Sequence, residues 1–113
     1  MDSILVTVRK ALGIEDDYTG FDTELVIAIN SAIMSLNQLG IGPVAGLVVA
    51  DDTQVWADLI GTDLDKEGVK SYICLKTRLI FDPPGNGFLV DAISRQINEL
   101  EWRLTLQAEP PTS

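Results

Sequence analysis

The sequence contains no histidine and a single cysteine, Cys74. Without histidine, most zinc sites and the Ser-His and Cys-His nucleophile pairs have no members. One thiol cannot close an internal disulfide, which fits a cytoplasmic or otherwise reducing origin. Basic residues are scarce: eight Lys and Arg stand against seventeen Asp and Glu, for a net charge of −9. That balance argues against wrapping nucleic acid, which needs cations at the phosphates. No apolar run approaches the ~20 residues of a membrane span. Arg9 and Lys10 follow the short run Ile4 to Val8 instead of preceding a longer one, so no secretory leader is expected. The expectation is a soluble protein with no membrane partner.

What remains is rich in helix formers. Hydrophobic residues make up 46% of 113 positions, enough for one domain with a modest core but not for a large enclosed active site. The pattern predicts an all-α fold, a small bundle of about five helices over residues 1–107, followed by a flexible arm at 108–113. The first helix spans about Ser3 to Leu12 and stops at Gly13, with Ile14 behind it. The second spans about Thr23 to Leu39, with Asp22 as N-cap, Phe21 stapled on Val26, and Gly40 as stop. The stretch "GIGPVAGLVVADD", Gly40 to Asp52, has no helical period and reads as a long loop, with Leu47 to Ala50 extended. A short helix follows from Thr53 to Ile60, capped by Asp52 or Thr53 and stopped by Gly61. The fourth helix runs from about Leu64 to Phe81, capped by Thr62 or Asp63, and the fifth from about Phe88 to Gln107.

Between the last two lies "DPPGNG", Asp82 to Gly87. Pro83 and Pro84 lock φ and remove two N–H donors, and Pro83 pushes Asp82 out of the α region. Gly85 and Gly87 are expected to supply positive φ, with Asn86 tolerating it. The stretch reads as a rigid structural corner built on Asp82, Pro83, Pro84 and Gly85.

Helical periodicity also shows which faces are left over. The second helix has a broad apolar arc of Leu25, Val26, Ile29, Ala32, Ile33, Leu36 and Leu39. Ile27 and Met34 fall instead among Glu24, Ser31, Ser35 and Gln38. The fifth helix has a core stripe of Leu89, Val90, Ile93, Ile97, Leu100 and Leu104. Opposite it lie Phe88, Trp102 and Leu106, beside Asp91, Arg95, Glu99 and Arg103 at i, i+4 spacing. The fourth helix has a stripe of Val69, Tyr72, Ile73, Leu75, Leu79 and Ile80, with Cys74 and Phe81 outside it and Lys76 inside it. Single exposed apolar residues are ordinary. Several on one face suggest a second buried surface, either bundle core or a subunit contact. Ile27, Met34, Lys76, Phe88, Trp102 and Leu106 are the candidate contact residues.

Chemical motifs do not survive inspection. "DLDKEG", Asp63 to Gly68, fills the early places of a calcium loop, but the twelfth place is Cys74 where a bidentate Glu is needed. An acidic first helical turn explains it better. "GIGPVAG" follows a helix and lacks the Gly-Lys-Ser/Thr ending of a phosphate loop. The acids Glu15, Asp16 and Asp17 have no apolar pocket to raise a carboxyl pKa. Cys74 has only Lys70 and Arg78 one turn away and no base to activate it. No enzyme, no metal and no cofactor is expected.

Three ordered stretches carry a resemblance: "INSAIMSLNQLGIGP" (29–43), "YICLKTRLIFDPP" (72–84) and "ISRQINELEWRL" (93–104). With the opening "MDSILVTVRKALGI" and "FDTELVIAINSA", the chain from Met1 to about Gln107 resembles the small head–tail connector proteins of tailed bacteriophages, also called adaptor or head-completion proteins. The resemblance implies a virion protein of the neck, assembled in the host cytoplasm. It implies a homo-oligomeric ring, conventionally dodecameric, below the portal protein, extending the DNA channel and docking the next neck protein. The family's C-terminal arm is short here. DNA is then only a passive passenger: a negative wall repels phosphates and leaves no sticking points. A different class remains open on the residues alone, a small bacterial cytoplasmic helical adaptor or regulator acting as monomer or dimer.

Overall fold

The computed structural model describes residues 3–15, 18–42, 47–60 and 66–108. Five helices follow in order: α1 Ile4–Ala11, α2 Asp22–Gln38, α3 Trp56–Ile60, α4 Lys66–Phe81 and α5 Gly87–Ala108. Among the described residues there is no strand, only an isolated antiparallel bridge between Ser3 and Val55. The fold is all-α, with a long loop between α2 and α3. The expected stop at Gly61, the caps at Thr62 or Asp63 and the start at Leu64 lie outside the described residues. So do Asp16, Asp17 and positions 43–46 and 109–113. Ala108, expected to open the arm, instead closes α5.

The ends of α1 and α2 follow directly from their residues. The Ser3 hydroxyl accepts from the Val6 N–H at 3.3 Å and caps α1. At its other end Gly13 adopts φ +78°. The Gly13 and Ile14 N–H groups then return to the Lys10 and Arg9 carbonyls at 3.1 and 2.9 Å. Gly40, at φ +90°, closes α2 in the same way. There the Ile41 N–H bonds to the Leu36 carbonyl at 3.0 Å, and Ile41 itself is buried.

Two expected starts are corrected. Asp22 does not cap α2; Phe21 holds the N-cap position without a side-chain cap bond. The Asp22 carboxylate is taken by Arg9, whose Nε and Nη2 donate to its two oxygens at 2.9 and 2.6 Å. The Phe21 ring stacks edge-on against Tyr18 and Phe81, each at a centroid distance of 5.2 Å. The third helix starts at Trp56 and not at Thr53, because side chains tie residues 50–54 into a turn. The Asp51 carboxylate accepts from the Thr53 N–H, and the Gln54 side-chain carbonyl accepts from the Ala50 and Asp51 N–H groups. Asp58 then reaches back to accept from the Val55 N–H at 3.0 Å, half of a capping box.

The core is continuous, from Ile4, Leu5 and Val8 through Leu25, Ile29, Ile33 and Leu36 to Val69, Tyr72 and Ile73, closed by Ile97 and Leu104. Helix α4 lies at its centre and packs on α2 and α5, with α1 and α3 against it. Tyr72 meets Glu101, while Leu75 shares a groove with Leu100 and Arg78 with Gln96. The positions climb on α4 as they fall on α5, so the pair is an antiparallel helical hairpin turning at residues 82–86.

The end of this hairpin explains two corrections. Leu89 and Ile80 both lie beside the turn at residues 82–86, at the end of the helix pair. Leu89, expected in the core, is therefore 50% exposed, and Ile80 in the last turn of α4 is 55% exposed. Phe81, expected outside the stripe, packs against the core and on Phe21. Thr77, a polar residue, is fully buried.

Candidate functional site

Each long flanking helix turns one apolar group of residues inward and another directly outward. On α2, Leu25, Ala28, Ile29, Ala32, Ile33 and Leu36 are buried. At ~100° per residue, Ile27 and Met34 point away from them, and they are 62% and 63% exposed. On α5, Ile97 and Leu104 are buried while Phe88, Trp102 and Leu106 are 77%, 65% and 50% exposed. None of these five candidates is bundle core. They lie on two separate helices: α2 and α5 each pack on α4 and hardly on each other.

Full burial of a side chain of this size is worth about 1.5–3 kcal/mol. Five of them, with Leu89 and the loop residue Val48, leave an unusually large amount of that energy unclaimed in the isolated chain. Val48 is held in place by its neighbour. The Asn30 side-chain amide donates to the Val49 carbonyl at 3.0 Å and its oxygen accepts from the Val49 N–H at 2.8 Å. That clamp was not expected from the sequence. Its only local sign is an amide side chain between the apolar arc and the polar face of α2.

Lys76, the sixth candidate, is half-buried. Its Nζ sits 5.8 Å from the centroid of the Tyr72 ring, so its stem runs over apolar surface and its charge meets an aromatic face. No carboxylate among the described residues forms an ion pair with it. Beneath it the Tyr72 hydroxyl donates to Glu101 at 2.6 Å, tying α4 to α5. Burial first, then the Glu101 carboxylate, push the Tyr72 phenol well above its ordinary pKa.

Helix α4 ends at Phe81 and α5 begins at Gly87, but the parts of the turn between them work differently from expectation. Neither Gly85 nor Gly87 adopts positive φ, and a Cβ at either would meet nothing. Gly87 is already helical. Asn86 is the cap of α5: its side-chain oxygen accepts from the Phe88 N–H at 2.8 Å. Asp82 still donates its N–H to the Arg78 carbonyl at 2.8 Å. The break is thus carried by Pro83 and Pro84, with Asn86 restarting the helix.

Little here resembles a reaction centre. A shallow open groove of about 250 Å3 runs between α4 and α5, lined by Ser71, Leu75, Gln96, Glu99, Leu100 and Arg103. Cys74 lies beside its continuation toward Leu12, and burial pushes its thiol pKa up, away from thiolate character. Among the described residues no cluster of three or more His, Cys, Asp or Glu is placed to hold a metal. No helix there is long and apolar enough to cross a membrane.

A helical chain whose large apolar side chains face outward on two helices has the form of an assembly component. A model of the phage connector protein family matches residues 4–111. The chain belongs to that family. No curated protein and no solved structure matches it significantly. Membership in the phage connector protein family accounts for the order of the three stretches on α2, α4 and α5. It also makes a virion head–tail component the general role of the chain.

Proposed function

We propose that the chain is a structural head-to-tail connector that forms a homo-oligomeric ring, dodecameric by the convention of such proteins, below the portal of a tailed phage. In this reading residues 1–107 are one connector domain. The ring extends the DNA channel and docks the next neck protein in the virion, after assembly in the host cytoplasm. The single observation that carries it is the family match over residues 4–111. The exposed apolar side chains on two separate helices, α2 and α5, support it, because a ring subunit needs two contacts, one with each neighbour. Ile27, Met34, Lys76, Phe88, Trp102 and Leu106 are the interface residues of this reading, and Asp82, Pro83, Pro84 and Gly85 set the angle between the last two helices. The net charge of −9 suits a channel that DNA passes without binding.

The test is reconstitution. DNA-filled heads of the parent phage that lack this protein are mixed with the purified chain, then with tails. A ring seen at the portal vertex by electron microscopy, with restored tail attachment, is the expected result. Heads that neither bind the chain nor gain tails refute the connector role.

A further inference from the structure

The outer faces of α2 and α5 share a spacing. On α2, Glu24, Ile27, Ser31, Met34 and Gln38 follow one another in steps of three and four. On α5, Phe88, Ala92, Arg95, Glu99, Trp102 and Leu106 do the same. Alternating steps of three and four keep side chains on one seam, the pattern by which one helix lies along another. Both seams are uncovered in the monomer, and each carries an exposed charge. Arg95 stands midway between Phe88 and Trp102, and Glu24 precedes Ile27 by one turn. Neither makes an ion pair among the described residues. Helix α2 has two acids, Asp22 and Glu24, and no base, and Asp22 is already held by Arg9.

We infer that the outer face of α2 of one copy packs along the outer face of α5 of the next, with Glu24 of one facing Arg95 of the other. This rests on the ring reading and specifies its contact. The occupant is a second copy of the chain for two reasons. The two seams are complementary in charge, with acid on α2 and, since Glu99 is already paired with Arg103, the Arg95 guanidinium left on α5. They also belong to two helices that each pack on α4 and hardly on each other, so a contact through one face leaves the other to a second neighbour. A two-fold pair using one face would leave the other bare. A head-to-tail contact covers both in every subunit, and closes into a ring when the rotation per subunit permits.

The experiment uses two variants, each with one face spoiled. Ile27→Asp with Met34→Asp spoils α2; Trp102→Ser with Leu106→Ser spoils α5. All four positions are exposed, so circular dichroism should show unchanged helix content. Masses are followed by sedimentation at high protein concentration. The wild type should form species larger than a dimer, and each variant alone should stay monomeric. An equal mixture of the two should form a heterodimer and nothing larger, because only one junction of the four is intact. In addition, Glu24→Arg and Arg95→Glu should each weaken assembly, and the chain bearing both should regain it.

A wild type that stays monomeric at every concentration, a variant that self-associates like the wild type, or a mixture that stays monomeric overturns the pairing. If heads carrying the α2 and α5 variants still show rings and take up tails, the α2–α5 seam is wrong while the connector role stands. If wild-type heads show no ring at all, the connector role fails first.

Discussion

Replacing Asp22 with Ala tests a part-buried ion pair that joins α1 to α2. The Arg9 side chain is 5% exposed and that of Asp22 is 28% exposed, and they meet through two bonds at 2.9 and 2.6 Å. Two unit charges at ~4 Å attract by about 4 kcal/mol at the effective dielectric near a protein surface. Removing one partner of a fully buried pair costs about 3–5 kcal/mol, because the other charge is left behind. Water reaches the Asp22 side and Arg9 keeps a further interaction, so the figure here should be nearer about 2 kcal/mol on the same scale. Asp22 is also the first residue of α2, where a carboxylate adds about 0.3–1 kcal/mol through the helix dipole.

The sum is about 3 kcal/mol, against a total stability of roughly 6–17 kcal/mol for a chain of this length. Urea unfolding followed by circular dichroism should therefore show a much lower midpoint with an unchanged slope, and Tm should drop by about 10 °C. Two comparisons sharpen the reading. Arg9→Met removes the buried charge itself and should cost less than Asp22→Ala. Glu24→Ala, exposed in the same turn of α2, should change stability by less than about 1 kcal/mol. An Asp22→Ala chain within about 0.5 kcal/mol of the wild type would refute the reasoning, since that is the range of an ordinary surface substitution.

Three further outcomes are expected. Tyr72 keeps its proton in the folded chain above its ordinary pKa of 10.0; the unfolded chain therefore loses that proton first, and stability should fall as pH rises past about 10. Tyr72→Phe should flatten that alkaline fall in the urea midpoint while costing about 1–2 kcal/mol at neutral pH through the lost Glu101 bond. Asn30→Ala leaves the buried Val49 N–H and C=O without their partners and should cost about 2–3 kcal/mol by urea unfolding. Pro83→Ala with Pro84→Ala should cost about 1–2 kcal/mol. Because neither glycine of the turn is in a left-handed conformation, helix content should also rise as α4 runs on toward α5, and ring assembly should fail although the chain still folds. Unchanged helix content with normal rings would show that the prolines do not set the corner.

Features fixed by near neighbours in the chain were legible, and those fixed by distant ones were not. The inward and outward residues of α2 follow from a 3.6-residue period, and the stops at Gly13 and Gly40 from the bonds one glycine permits. Asp22 looked like a cap because its local sequence is that of a cap, yet Arg9, thirteen residues away, claims its carboxylate. Asn30 clamps a loop nineteen residues on, which no helical wheel shows. Periodicity assigned Leu89 and Ile80 to the right stripes, but a stripe does not say how far the neighbouring helix extends. Phe81 sits on the core because Phe21 comes to it from another part of the chain. The corner shows the same division. Its location was readable from two prolines, whereas its mechanism depends on which backbone wells Gly85 and Gly87 occupy, and composition permits positive φ without requiring it. Since both take ordinary φ, the direction of α5 relative to α4 depends on the proline rings and the Asn86 cap. That direction also sets the angle between the outer faces of α5 and α2. In the head-to-tail ring proposed above, that angle would contribute to the rotation from one subunit to the next, so the turn of five residues would bear on whether the ring closes.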